Sequence, residues 1–213
     1  MKVEHTLIEI NRIVEKTIEG FCFEFLARPY LCYTEHGLHA LFYASLVGNI
    51  PEKKRLVRVG DKDIHVVQKE YPMVDKQGRS KRAHWDIAVL DDVQTSNRQR
   101  WYDTLGLNSA IEFGLNESID HLRRDVQRLS HEESGMKRGY IVHLHRFSRF
   151  VTRRDWIRKH ARAATTASID SILRKEGRNV TAYFVVVDGV TGMRGGPWRL
   201  DGRSEPLLLF EHE

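Results

Sequence analysis

Asp86 and Glu112 stand where a carboxylate is costly. Asp86 interrupts the apolar run His84-Trp85-Asp86-Ile87-Ala88-Val89, and Glu112 interrupts Ala110-Ile111-Glu112-Phe113-Gly114-Leu115. A charge on a sheet strand is heavily penalised by desolvation unless it is paired or binds a cation. Two strands that each carry one acid suggest that both acids answer to the same ion. A third acid, Glu35, opens an amphipathic helical segment. Each has a plainer explanation when taken alone. Asp86 or Glu112 could pair with an arginine, and Glu35 could merely complement a helix macrodipole. Their combination, in this order along the chain, favours a shared site.

The elements that must position these acids follow from periodicity. Residues 4–26 place Leu7, Ile10, Ile13, Val14, Ile18 and Phe21 at helical spacing, and Pro29 ends that helix. Thr34 is expected to cap a second helix running through Leu38, Leu41, Phe42, Leu46 and Val47 to Gly48, which sets Glu35 in its first turn. Residues 64–71 read as a strand, 72–82 as a loop turning at Gly78, and 83–90 as the returning strand that holds Asp86. A long polar loop over 91–108 leads to a short strand over 109–115 with Glu112. Asn116 is expected to cap the next helix, whose Ile119, Leu122, Val126 and Leu129 form one buried stripe.

A strand is expected over 140–146. A helix then starts at Thr152, with Asp155 in capping-box position, and runs to Glu176 with Gly177 past its end. The unbroken apolar run over 180–188 predicts a fully buried strand. Gly192 to Pro197 reads as a turn and 207–210 as a short last strand. This order predicts an α/β sandwich: a mixed central sheet flanked by helices, in one domain over 1–213. It divides into an N-terminal helical extension (1–33), a core (34–188) and a C-terminal tail (189–213).

The 213 residues are 41% apolar and 30% charged, with a formal net charge of +5. No stretch approaches the ~20 apolar residues of a membrane span, and the N-terminus lacks a signal-peptide layout. Cys22 and Cys32, the two cysteines, have no zinc-site spacing with the histidines, and a reducing cytoplasm is the expected compartment. Basic residues cluster. Between Arg146 and Arg162 there are seven Arg or Lys against one acid, among them Arg149, Arg153, Arg154 and Arg158, with aromatics interleaved. A second run holds Arg79, Lys81 and Arg82 at the tip of the expected hairpin. Such groups grip phosphates by releasing counterions and read no bases. The plainer alternative is a solvated face.

The order helix acid, hairpin with Asp86 on its second strand, third strand with Glu112-Phe113-Gly114, amphipathic helix, fourth strand resembles the PD-(D/E)XK nuclease superfamily. The likeness spans about residues 34–146 and rests on topological order more than on any one short motif. It implies a restriction-endonuclease-like αβββαβ core and metal-assisted phosphodiester hydrolysis. Asp86 and Glu112 would then bind Mg2+ or Mn2+ with the Phe113 carbonyl, and Glu35 would hold a second ion or a water. The chain departs from the pattern where the family carries its lysine, because Gly114 stands there. Candidate replacements are Lys69 on the first hairpin strand and Arg123 or Arg124 on the following helix. Gln127 on that helix could orient a water or a base, and Asn116 adds a polar group beyond Gly114.

The resemblance implies nucleic acid as partner, DNA ahead of RNA, and no membrane. A catalytically silent nucleic-acid-binding or assembly subunit is the alternative. The N-terminal helix is a candidate homodimer or complex interface. The eleven histidines permit another, lesser reading. His84, His36 with His39, and His143 with His145 could sit near the acids, in a histidine-rich metal site or with His84 as a general base. No spacing among them matches a recognised histidine–metal motif.

Overall fold

The computed structural model describes residues 2–59, 61–74, 80–94, 105–132, 136–147, 164–189 and 191–210. Helix α1 (Lys2–Ala27) and helix α2 (Glu35–Asn49) precede a two-stranded hairpin of β1 (Leu56–Val59) and β2 (Lys62–His65). A seven-stranded sheet follows: β3 (Val67–Val74), β4 (Ser80–Gln94), β5 (Leu105–Leu115), β6 (Arg138–Phe147), β7 (Val180–Asp188), β8 (Met193–Leu200) and β9 (Leu207–Leu208), in that spatial order. Helix α3 (Ile119–Ser130) joins β5 to β6, and α4 (Thr166–Glu176) precedes β7. The β5–β6 and β6–β7 pairs are parallel and the other four are antiparallel. The chain is thus a mixed α/β protein with a mostly antiparallel sheet flanked by helices. Among the described residues, no helix is long and apolar enough to cross a membrane.

The helices cover both faces. Phe21 of α1 and Phe42 of α2 meet Phe113 of β5 edge-on, at centroid distances of 5.8 and 5.2 Å. Alternation along β5 then turns Glu112 and Gly114 toward the opposite face, under α3. There Leu122, Val126 and Leu129 of α3 and Ile169, Ile172 and Leu173 of α4 are buried. Helix α1 spends its apolar side on this chain's own sheet, with Ile10, Val14, Ile18, Phe21 and Phe25 all in the core.

Several local expectations change. The strand predicted over 64–71 is two strands, and the β1–β2 hairpin carries too little apolar alternation to announce itself. Pro72 lies within β3, opposite His84, because β3 is an edge strand where a missing N–H is tolerated. Both β4 and β5 extend into the segment predicted as a polar loop. Helix α3 is capped by Ser118, whose hydroxyl accepts from the His121 amide; Asn116 instead adopts φ 60°. Its amide donates to the Leu144 carbonyl and its side-chain carbonyl accepts from the Arg146 amide at 2.6 Å, clasping the ends of β5 and β6. Of the helix expected over 152–176, residues 152–163 lie outside the described residues; the described helix begins only after Thr165, which is extended (φ −118°, ψ 162°) and shares a capping box with Ser168. The Gly-rich stretch expected as a turn forms β8. A Cβ at Gly195 would meet Trp198 Cη2 at 2.5 Å, so the glycine clears room for the indole, which stacks on Phe184 at 5.7 Å.

Arg146, the first member of the basic run, is buried and donates to the carbonyls of Pro29, Cys32 and Tyr33. It ties the segment before α2 to the sheet and is unavailable to phosphates. Arg79, Arg149, Arg153, Arg154 and Arg158 lie outside the described residues. Lys81 and Arg82 fall at the start of β4, with only their backbone described.

Candidate carboxylate site at the β4–β5 fork

Pairing between β4 and β5 runs to Ile87↔Ile111 and ends there. Beyond it β4 continues along β3 while Glu112–Leu115 continue along β6. The parting strands leave β5 amides without a β4 partner, and carboxylates take that place. Asp86 Oδ2 accepts from the Phe113 amide at 2.8 Å, and Glu35 Oε2 accepts from the Leu115 amide at 2.8 Å. Glu35 therefore does more than complement its helix. The two amides are two residues apart along the strand, about 7 Å, so Glu35 sits one step beyond the Asp86–Glu112 pair. Glu35, Asp86 and Glu112 do not converge on one three-ligand point; the described set that does is His36, His39 and Glu70.

Glu112 is only 3% exposed. Its Oε2 accepts from Arg128 of α3 at 3.0 Å, while its buried Oε1 accepts no hydrogen bond among the described residues. Burial pushes the Glu112 carboxyl well above its ordinary range, and the adjacent Asp86 carboxylate, within hydrogen-bonding reach, pushes it further. Two carboxyls at that separation need a shared proton or a cation. Glu35 is also raised, by burial first and by Asp86 and Glu117 next, with the Leu115 amide opposing. Asp125 of α3 is raised by burial too, although His121 and Arg128 oppose it. Arg128 bridges Asp125 and Glu112, at 2.5 and 3.0 Å. His121 Nδ1 lies 2.9 Å from Glu117 and its Nε2 lies 3.7 Å from Asp125. Among the described residues the fork gathers more acids than cations.

The candidate cations fall elsewhere. Arg123 faces Asp120 and Glu176, and Gln127 donates to Glu176 at 2.8 Å, so α3 turns both away from Glu112. Arg124 is exposed on α3. Lys69 is exposed on β3, opposite Ile87, and its charge acts on His39. Among the described residues the cation that touches Glu112 is Arg128. His121, Asp125 and Arg128 are not singled out by the sequence pattern, yet they run at the same four-then-three spacing as the stripe Leu122, Val126 and Leu129, one position earlier. A polar stripe flanking a buried one is the signal that marks them.

Gly114 pairs with His143 in register, and a Cβ at 114 would meet His143 Nδ1 at 3.0 Å and Glu117 Cβ at 3.3 Å. The imidazole fills the space where a side chain at 114 would begin. His84 is exposed on β4. His143 and His145 are buried in the sheet with ring centroids 4.6 Å apart, and His145 meets Phe184 edge-on at 5.5 Å.

Burial lowers His145 from its ordinary 6.5 to about 4. The unfolded chain therefore binds the proton first, so this contribution is complete above pH 6.5 and is lost as pH falls through that window. The fall from 6.5 to about 4 is worth about 3 kcal/mol. Guanidinium titrations between these pH values should show this acid loss in wild type and a flatter limb in His145→Phe. Equal limbs would assign the acid sensitivity elsewhere.

Compared with protein-family models, with curated proteins and with solved structures, the chain matches none.

Proposed function

We propose that the chain is a metal-dependent nuclease acting on DNA or RNA, built on a restriction-endonuclease-like αβββαβ core comprising α2, β3, β4, β5, α3 and β6. One observation carries this reading. Where β4 and β5 part, Asp86 and Glu112 come within hydrogen-bonding reach of each other, with a buried Glu112 oxygen left without a donor among the described residues. The donor set is all oxygen and suits a hard ion. Asp86, Glu112 and the Phe113 carbonyl would hold Mg2+ or Mn2+, which supplies Lewis acidity toward a phosphate and lowers the pKa of a water.

The protein's own groups do the rest. Arg128 steadies negative charge beside Glu112, but a guanidinium cannot serve as a base. His121, half-exposed and oriented by Glu117, can hold or pass a proton at its Nε2. Glu35, fixed on the Leu115 amide, keeps one oxygen to position a water. The phosphate-gripping role belongs to the basic runs around Arg79 and Arg149–Arg158.

The test is cleavage of mixed nucleic acids with Mg2+ or Mn2+, comparing wild type with Asp86→Ala/Glu112→Ala. Metal-dependent cutting that the double variant lacks is expected, and folded wild type that binds but never cuts would count against a working nuclease. One observation favours the second reading, a catalytically silent nucleic-acid-binding subunit. Gly114 and His143 together close the position from which the family's lysine would act.

A further inference from the structure

A second cluster lies on the α2 side of the fork. His36 and His39, three residues apart on one face of α2, and Glu70 of β3 place one ligand atom each within 4.8 Å of the others. His39 is 1% exposed, and neither of its ring nitrogens has a hydrogen-bond partner among the described residues. Its Nε2 lies 3.8 Å from Asp86 Oδ2, too far for a hydrogen bond. A buried imidazole with both nitrogens unused calls for another explanation. The ring is not free to turn outward, because it packs on Phe113 at 4.9 Å and against His36 at 5.6 Å.

Glu70 adds an independent sign. It holds φ 52° inside a strand, a left-handed conformation unfavourable for a residue with a side chain. The flanking pairs Lys69↔Ile87 and Tyr71↔Trp85 set Glu70 opposite Asp86. The strained backbone thus brings a carboxylate beside the two imidazoles at the row where β4 carries its own acid.

We infer that His36, His39 and Glu70 form a binding site for a nitrogen-preferring divalent cation of the Zn2+ class, distinct from the all-oxygen set of Asp86 and Glu112 and bordering it through Asp86. Two imidazoles and a carboxylate match the ligand types and number of a three-protein-ligand zinc site with its fourth position open. Asp86 is the neighbour placed to fill or bridge that position. Mg2+, which prefers oxygen donors in octahedral array, is a poor match for the same three groups. These three groups would take such an ion whether or not the chain cuts nucleic acid.

The experiment is a Co2+ titration of the full chain followed by visible absorption, with Zn2+ and Mg2+ as competitors. Wild type should bind one spectroscopically distinct Co2+ that Zn2+ displaces and excess Mg2+ does not. His36→Ala and Glu70→Gln, both at exposed positions that spare the core, should each weaken binding about tenfold or more. Glu112→Gln should leave the Co2+ spectrum in place. Unchanged affinity in His36→Ala and Glu70→Gln would overturn the assignment. So would loss of the signal in Glu112→Gln alone, which would move the ion to the oxygen set while leaving the nuclease reading intact.

Discussion

Glu112→Gln should abolish metal-dependent cleavage, by about 10²–10⁴-fold, and at the same time make the metal-free protein more stable. The two effects have one cause. Glu112 is buried, is raised chiefly by desolvation, and leaves Oε1 without a donor among the described residues. A carboxamide of the same shape carries no charge to desolvate, and its NH2 can donate to Asp86 in place of like-charge repulsion. Arg128 keeps Asp125 at 2.5 Å, so little is orphaned. The gain should be about 1–2 kcal/mol.

The pH dependence has a definite sign. Glu112 titrates above its ordinary 4.5 when folded, so ionising it costs stability as pH rises from 4.5 toward the raised value. The gap between variant and wild type therefore widens with pH over that window. Guanidinium unfolding with and without millimolar Mg2+ reads both halves: the ion should stabilise wild type by mass action and leave the variant unmoved. A destabilised variant with an unchanged Mg2+ response would make Glu112 a structural partner of Arg128 and nothing more.

Arg146→Met should destabilise the fold strongly, by about 3–5 kcal/mol, through several acceptors left unpaired at once. Methionine replaces the stem but leaves the carbonyls of Pro29, Cys32 and Tyr33 without their donor. The guanidinium also lies over the rings of Tyr30 and Tyr33, at 5.1 and 5.6 Å. These residues lead directly into Thr34, the N-cap of α2, and so into Glu35. Loss of the clamp should lower the unfolding midpoint and weaken Mg2+ binding together. Arg146→Lys should recover only part of the loss, since one ammonium cannot span three carbonyls. A loss below about 1 kcal/mol would show that solvent serves those carbonyls as well as the arginine does.

Where periodicity is strong, the sequence alone determines the outcome. Helix α2 with its Thr34 cap, the α3 stripe of Leu122, Val126 and Leu129, and the buried run of β7 are each set by local spacing. The oddness of Asp86 and Glu112 is equally legible, because a lone acid in an apolar strand is visible without a partner. What such a pattern cannot supply is the partner. The cation on Glu112 is Arg128 because helix rotation aims that residue at the fork and turns Arg123 and Gln127 to Glu176. Arg146 sits in a basic run, yet its place in parallel strand β6 buries it among carbonyls more than a hundred residues away. Asn116 is a good cap by type, but the β5–β6 clasp claims its side chain. His36, His39 and Glu70 meet only because α2 lies against β3, a contact between segments that share no local pattern. Spacing reports what neighbours along the chain can do; which charge meets which is decided by strand register and helix rotation, and these exist only once the sheet has formed.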